Sequence, residues 1–138
     1  MKHYIAYGSN LNIEQMNRRC KDAKPVGADE IDNYKLVFRR GYLTIEPAEG
    51  FYVPVGVWEI SDEDEKALDR YEGYPKFYRK EYIELPYYGK CLVYIMNDGF
   101  PEQAPTDGYF TTVYHGYTEF GLDKDPLMKA YDLVKWPC

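Results

Sequence analysis

Apolar residues recur along this chain with two different periods. His3-Tyr4-Ile5-Ala6-Tyr7 is a short run of strand formers, and Gly8-Ser9-Asn10 interrupt it. Beyond the interruption Ile13, Met16 and Cys20 fall at helical spacing, and Asn12 with Gln15 three residues on resembles a capping box. The chain therefore opens as strand, tight polar loop, helix. Strand-like runs follow at Tyr34–Arg40, Tyr42–Glu46 and Phe51–Ile60, with Pro54 predicting an edge position or a bulge. Ser61-Asp62-Glu63-Asp64 supplies a cap and first-turn acids for a helix with Ala67, Leu68 and Tyr71 on its apolar side, and Gly73 is placed to end it in a left-handed conformation. Phe77–Leu85 and Lys90–Met96 read as two more strands. Thr106-Asp107 open a helix with Tyr109, Val113 and Tyr117 on one face, and Asp125-Pro126 start another that runs through Val134. About six strands and three or four helices, not strictly alternating, predict an α+β fold built on a mixed, largely antiparallel, barrel-like sheet.

Composition narrows the class. The 138 residues read as a single domain, 1–138, without repeat or linker. Tyr contributes 16 residues, enough aromatic surface for a core, and each ring brings a hydroxyl that needs a partner. A net charge of −6 argues against a nucleic-acid partner, and the two arginine pairs, Arg18-Arg19 and Arg39-Arg40, read as solvated surface charge. No run approaches the ~20 apolar residues of a bilayer span, and the start carries no apolar signal-peptide core, so no membrane role is expected. Cys20, Cys91 and Cys138 are widely spaced; with two His and no CxxC they read as reduced thiols of a cytoplasmic protein rather than as a metal site. Trp136-Pro137-Cys138 carry no processing or lipid signal.

Two segments carry candidate chemistry. Tyr7-Gly8-Ser9-Asn10-Leu11 joins a strand to a helix, where unpaired backbone N–H groups and the helix dipole attract an anion. Gly8 lets a ligand approach the backbone, and Ser9 and Asn10 add polar contacts. Read alone, the segment is equally a plain capped turn; it is neither a GxxxxGK[ST] nor a GxGxxG loop. Glu72, at the end of the helix that begins at Ser61, is flanked by Tyr71 and Tyr74. A carboxylate facing the negative end of a helix dipole and shielded by aromatic rings gains proton affinity, which suits proton transfer near neutral pH. Read alone, it is equally a solvated acid.

Together these residues resemble a family. Tyr7-Gly8-Ser9-Asn10-Leu11 after the first strand resembles the signature loop of the γ-glutamylcyclotransferases, and Leu68-Asp69-Arg70-Tyr71-Glu72-Gly73 resembles their L-D-x-x-E-G segment with its catalytic Glu. Tyr78-Arg79 is similar to the Tyr after that Glu. Thr44-Ile45-Glu46-Pro47 with Val53-Pro54-Val55-Gly56-Val57 resembles the family's central strand. Ala104-Pro105-Thr106 with Tyr109 resembles the P-S-x-x-Y opening of its late helix, with Thr106 where the family often has Ser.

The resemblance implies a compact barrel-like fold and cleavage of γ-glutamyl amides by internal cyclisation, releasing 5-oxoproline and a free amine without a cofactor or metal. It implies Glu72 as general acid/base and Tyr7, Gly8, Ser9, Asn10, Leu11, Tyr78 and Tyr109 as substrate contacts, with Gly73-Tyr74-Pro75-Lys76-Phe77 shaping the leaving-group side. The expected partner is a small γ-glutamyl substrate. The leaving group stays open among amino acids, glutathione, γ-glutamyl-lysine and antibiotic precursors, and so does the oligomeric state, for which Tyr87-Tyr88 is an interface candidate. The competing readings are an amide hydrolase on the same fold and a non-catalytic binding member.

Overall fold

The computed structural model describes residues 1–136. Five strands, β1 (Lys2–Ala6), β2 (Lys24–Arg39), β3 (Tyr42–Ile60), β4 (Tyr78–Leu85) and β5 (Gly89–Met96), form one sheet in the order β2-β3-β1-β5-β4. Only the β1–β5 pairing is parallel; the other three are antiparallel. Four helices, α1 (Ile13–Arg19), α2 (Asp62–Glu72), α3 (Asp107–Glu119) and α4 (Asp125–Lys135), complete the α+β fold. No helix among the described residues is long and apolar enough to cross a membrane. Cys20 and Cys91 are buried free thiols, whereas Cys138 and the Pro137 before it lie outside the described residues.

Two expectations need correction. The sheet is open rather than barrel-like, with β2 and β4 as its edges. The two runs Tyr42–Glu46 and Phe51–Ile60 are one 19-residue strand, which reduces six strands to five. What looked like a break is a bulge: Tyr34 pairs with Pro47 and Asp32 with Tyr52, so residues 48–51 stand opposite the single Asn33. Asn33 takes a positive φ of 64° there and accepts the Gly50 N–H at 3.1 Å through its side chain. Pro54 does occupy a one-sided stretch, since β1 pairs with β3 only from Ile60 to Gly56.

The caps form as the sequence suggested. Asn12 accepts the Gln15 N–H at 3.1 Å, Ser61 and Asp64 form a reciprocal capping box, and Gly73 closes α2 at φ +67°. The core fills both faces of the central strands, with Ile5, Val57, Trp58, Leu68 and Val93 fully enclosed. On one side Phe38 of β2, Phe110 of α3 and Tyr131 of α4 meet as an aromatic cluster, Phe110 and Tyr131 having ring centres 4.2 Å apart. Helix α3 lies directly on the loop that follows β1. Gly116 permits that approach, because a Cβ there would stand 2.6 Å from the Leu11 carbonyl carbon.

Candidate active site

β1 ends at Ala6 and the chain turns at once into Tyr7 and a single 3₁₀ turn, Ser9–Leu11. Neighbours fix this loop from several directions. Tyr7 Oη donates to the Tyr94 carbonyl of β5 at 2.6 Å, and Tyr117 Oη of α3 donates to the Tyr7 carbonyl at 2.9 Å. Trp58 Nε1 donates to the Asn10 carbonyl at 3.0 Å. The Leu11 N–H closes the turn on the Gly8 carbonyl at 3.0 Å, and the Leu11 side chain is wholly buried. The N–H groups of Gly8, Ser9 and Asn10 find no acceptor among the described residues, as expected at the start of a helical segment.

Above this loop lies a recess of about 30 Å³ lined by Tyr4, Tyr7, Gly8, Ser9, Asn10, Leu43, Glu72, Tyr78, Tyr94 and Tyr109. It adjoins a cleft of about 380 Å³ that shares Ser9, Glu72, Tyr78 and Tyr109 with it. All five recess tyrosines satisfy their hydroxyls, in two different ways. Tyr7 and Tyr78 spend their protons on carbonyls, Tyr78 on that of Leu43 at 3.0 Å; Tyr78 keeps its lone pairs free, and Tyr7 keeps one beside the hydrogen bond from the Thr44 side chain. Tyr4 and Tyr109 accept instead, from Asn10 Nδ2 at 2.9 Å and from the Leu43 N–H at 3.1 Å, and each keeps a proton to donate. Tyr94 donates to Asp69 Oδ1 at 2.6 Å, below the recess. The cavity thus offers two hydroxyl donors and two hydroxyl acceptors in fixed places. Burial pushes all these phenols above their ordinary range, so they stay protonated.

Glu72 closes the recess from the last residue of α2. The helix end is held from below: Lys80 of β4 pairs with Glu65 at 2.7 Å and Asp69 at 2.9 Å, and Asp69 takes the Tyr94 proton. Glu72 itself makes no hydrogen bond or ion pair among the described residues. Desolvation by the surrounding rings raises its carboxyl from 4.5 to about 7, with the charge of Arg19 pulling the other way. A half-buried carboxylate that titrates near neutrality and has nothing to bind is poised to take up and return a proton.

Known proteins share this arrangement of elements. The sequence model of the gamma-glutamyl cyclotransferase, AIG2-like family matches residues 4–115, from β1 into α3. The chain belongs to this family. No curated protein matches the sequence. Among solved structures the chain is similar to a gamma-glutamyl cyclotransferase, at 24% identity and a TM-score of 0.78 over 96% of this chain and 85% of that one. It is equally similar to an uncharacterized Homo sapiens protein, loc79017, at 23% identity and a TM-score of 0.78, covering 94% and 85% of the two chains. YkqA from Bacillus subtilis gives 20% identity and a TM-score of 0.80, over 98% of this chain but 54% of YkqA. At such identities these likenesses speak for the fold.

Within this gamma-glutamyl cyclotransferase-like fold, seven of the eight sequence-predicted site residues meet. Glu72, Tyr7, Gly8, Ser9, Asn10, Tyr78 and Tyr109 line the recess. Leu11 does not: its side chain is a core anchor and its N–H is spent inside the turn. Of the segment Gly73–Phe77, Gly73 and Phe77 reach the cleft. Tyr4 and Tyr94 escaped the sequence reading because, as aromatics in central strands, they look like core, which by burial they also are. Arg19 and Arg40 contradict their reading as solvated charge. Arg19 donates to Asn10 Oδ1 and stacks on Tyr71, and Arg40 lines the cleft.

Proposed function

We propose that this protein cleaves γ-glutamyl amides by intramolecular attack of the α-amine on the γ-carbonyl carbon, releasing 5-oxoproline and a free amine or amino acid. The observation that carries this reading is the unpartnered Glu72 carboxylate beside the tyrosine-lined recess, next to a loop with three spare N–H groups. The α-carboxylate of the substrate binds the N–H groups of Gly8, Ser9 and Asn10, with Tyr109 donating its free proton. The α-ammonium faces the lone pairs of Tyr7 and Tyr78 and the Glu72 carboxylate. The bound α-ammonium first releases one proton to solvent. As the resulting amine attacks the γ-carbon, Glu72 takes a second proton from that nitrogen. The amide C–N bond breaks as Glu72 returns it to the leaving nitrogen, leaving a lactam N–H and a neutral amine. One carboxyl serves both steps because its affinity for the proton, about 7, lies near neutrality. The reaction is unimolecular once the substrate is held, and effective molarities of ~10⁵–10⁸ M indicate how much positioning supplies.

Ser9 is not a nucleophile in this scheme. Its Oγ hydrogen-bonds the Tyr71 hydroxyl at 2.6 Å, not a base. No cofactor or metal enters the reaction. The buried free thiols Cys20 and Cys91 support a reducing, cytoplasmic setting.

The test is mass-spectrometric detection of 5-oxoproline from γ-glutamyl amides, beside Glu72→Gln. Release that falls by about 10²–10⁴ in the variant supports the scheme. Glutamate in place of 5-oxoproline identifies a hydrolase. Binding of γ-glutamyl compounds without turnover, unaffected by Glu72→Gln, identifies a binding protein.

A further inference from the structure

The chain has six arginines. Four of them have polar partners: Arg18 pairs with Glu14, Arg19 with Asn10, Arg39 with Glu46 and Arg79 with Glu81. Arg40 and Arg70 have no hydrogen-bonded or ion-paired side-chain partner among the described residues, and both line the cleft outside the recess. In a chain with 23 acids and a net charge of −6, two cations that line one cleft without pairing to a carboxylate call for an account.

Arg40 also sits where the backbone does not favour it. It and Gly41 form the two-residue tip of the β2–β3 hairpin, with φ values of 57° and 83°. Such a turn needs positive φ at both positions and prefers Asn-Gly or Asp-Gly. The tip is pinned, since the Arg40 N–H donates to the Pro101 carbonyl at 3.1 Å and the Gln103 N–H to the Phe38 carbonyl at 3.2 Å. From that tip the guanidinium lies 3.9 Å from the ring centre of Phe77, with Phe100 at 5.0 Å and Tyr42 at 5.5 Å. A guanidinium stacked on rings keeps its in-plane N–H fork free, which is the geometry that grips a carboxylate with two parallel bonds. A residue held at a strained turn position, stacked and unpaired, beside a reaction cleft is a candidate for substrate recognition.

We infer that Arg40, in a cleft that Arg70 also lines, selects substrates whose leaving group carries its own carboxylate: an amino acid or a peptide, rather than a neutral or cationic amine. The α-carboxylate of the departing amino acid binds the Arg40 fork, while its side chain lies against Tyr42 and Phe77. This inference rests on the cyclisation reading for the identity of the other half of the substrate.

The experiment compares kcat/KM for γ-glutamyl-tyrosine and γ-glutamyl-tyrosinamide in the wild type, Arg40→Asn and Arg40→Lys. Asn suits the turn better than Arg, so Arg40→Asn removes the charge while keeping the hairpin, and an undiminished Tm verifies that it has. The wild type is expected to prefer the acid by about ten- to hundredfold. In Arg40→Asn that ratio falls toward one through KM, and Arg40→Lys, keeping charge without the fork, lies between. A wild-type ratio near one, or a ratio unchanged in Arg40→Asn, overturns the inference. If the wild type turns over neither compound, the cyclisation reading fails by itself, and the arginine site is tested by NMR titration with N-acetyl-tyrosine and N-acetyl-tyrosinamide. Tighter binding of the acid, with shifts at Gly41 and Phe77 that Arg40→Asn abolishes, supports it; equal binding of the two overturns it.

Discussion

The Arg19 guanidinium lies 3.4 Å from the ring centre of Tyr71, the residue before Glu72. The same guanidinium donates to Asn10 Oδ1, and Tyr71 Oη meets Ser9 Oγ at 2.6 Å. The last turn of α1 and the last turn of α2 are therefore joined through one arginine, and the loop that follows β1 is fastened to the helix end that presents Glu72. The two motifs are joined by the Ser9–Tyr71 hydrogen bond across 62 positions of the chain.

Replacing Arg19 tests that coupling. Its positive charge lowers the affinity of Glu72 for a proton, opposing the rise caused by burial. Arg19→Met keeps the length and apolar contact but removes the charge, so the Glu72 carboxyl should titrate above about 7. The acidic limb of the kcat/KM profile should move to higher pH, and less of the basic form should be present at pH 7. A limb that stays in place, or moves down, contradicts the coupling.

Glu72 also has a signature in stability. Its folded-state value of about 7 lies above the unfolded 4.5, so the native state holds the extra proton between those values. Stability contributed by the protonated form is complete below pH 4.5 and is lost as pH rises through about 7. Glu72→Gln cannot lose it. The variant should match the wild type near pH 4 and exceed it by about 1–3 kcal/mol near pH 8, measured by urea unfolding at both pH values. A gap independent of pH would show that desolvation of this carboxyl is not the cause.

Much of the fold was legible because local rules and tertiary context agree. The Ser61 cap, the Gly73 stop and the unbroken apolar run Cys91–Met96 of β5 needed no knowledge of neighbours. The first half of β2, Lys24–Asn33, was not legible. It is an edge segment with only Ile31 buried, and pairing with β3 rather than its own pattern makes it a strand. The site shows the same division. Glu72 and the Gly8–Asn10 loop announce themselves by motif, whereas Arg19, Arg40 and Tyr94 meet partners distant in sequence and Tyr4 reads as core. An arginine pair or a strand tyrosine carries no mark of which neighbour it will meet.

Leu43 offers a sharper probe of the recess. Its backbone N–H donates to Tyr109 Oη at 3.1 Å and its carbonyl accepts from Tyr78 Oη at 3.0 Å. Tyr109→Phe leaves the N–H without a partner, and an orphaned donor costs about 1–3 kcal/mol. Tyr78→Phe leaves a carbonyl, which tolerates incomplete bonding better than an N–H does. Both variants should lose stability in denaturant titrations, Tyr109→Phe the more. The reverse order would mean that Tyr109 is not the main support of the Leu43 backbone.

Two glycines of α3 give opposite expectations for one substitution. Ala is favoured over Gly by about 1 kcal/mol in a helix interior and by less in the first turn, where Gly108 lies, so propensity alone predicts a gain at both. At Gly108 a Cβ meets nothing within 4 Å, and the gain should appear. At Gly116 a Cβ would stand 2.6 Å from the Leu11 carbonyl carbon and 2.7 Å from the Asn12 nitrogen. These are backbone atoms that cannot rotate away, and overpacking of this kind costs about 1–3 kcal/mol, more than propensity returns. Gly108→Ala should therefore raise Tm, while Gly116→Ala lowers it and pushes α3 off the loop that carries Gly8 to Asn10. The 5-oxoproline assay should follow the same division, with turnover falling in Gly116→Ala because the loop N–H groups leave their places. Equal gains in Tm at both positions would mean that α3 does not press on this loop.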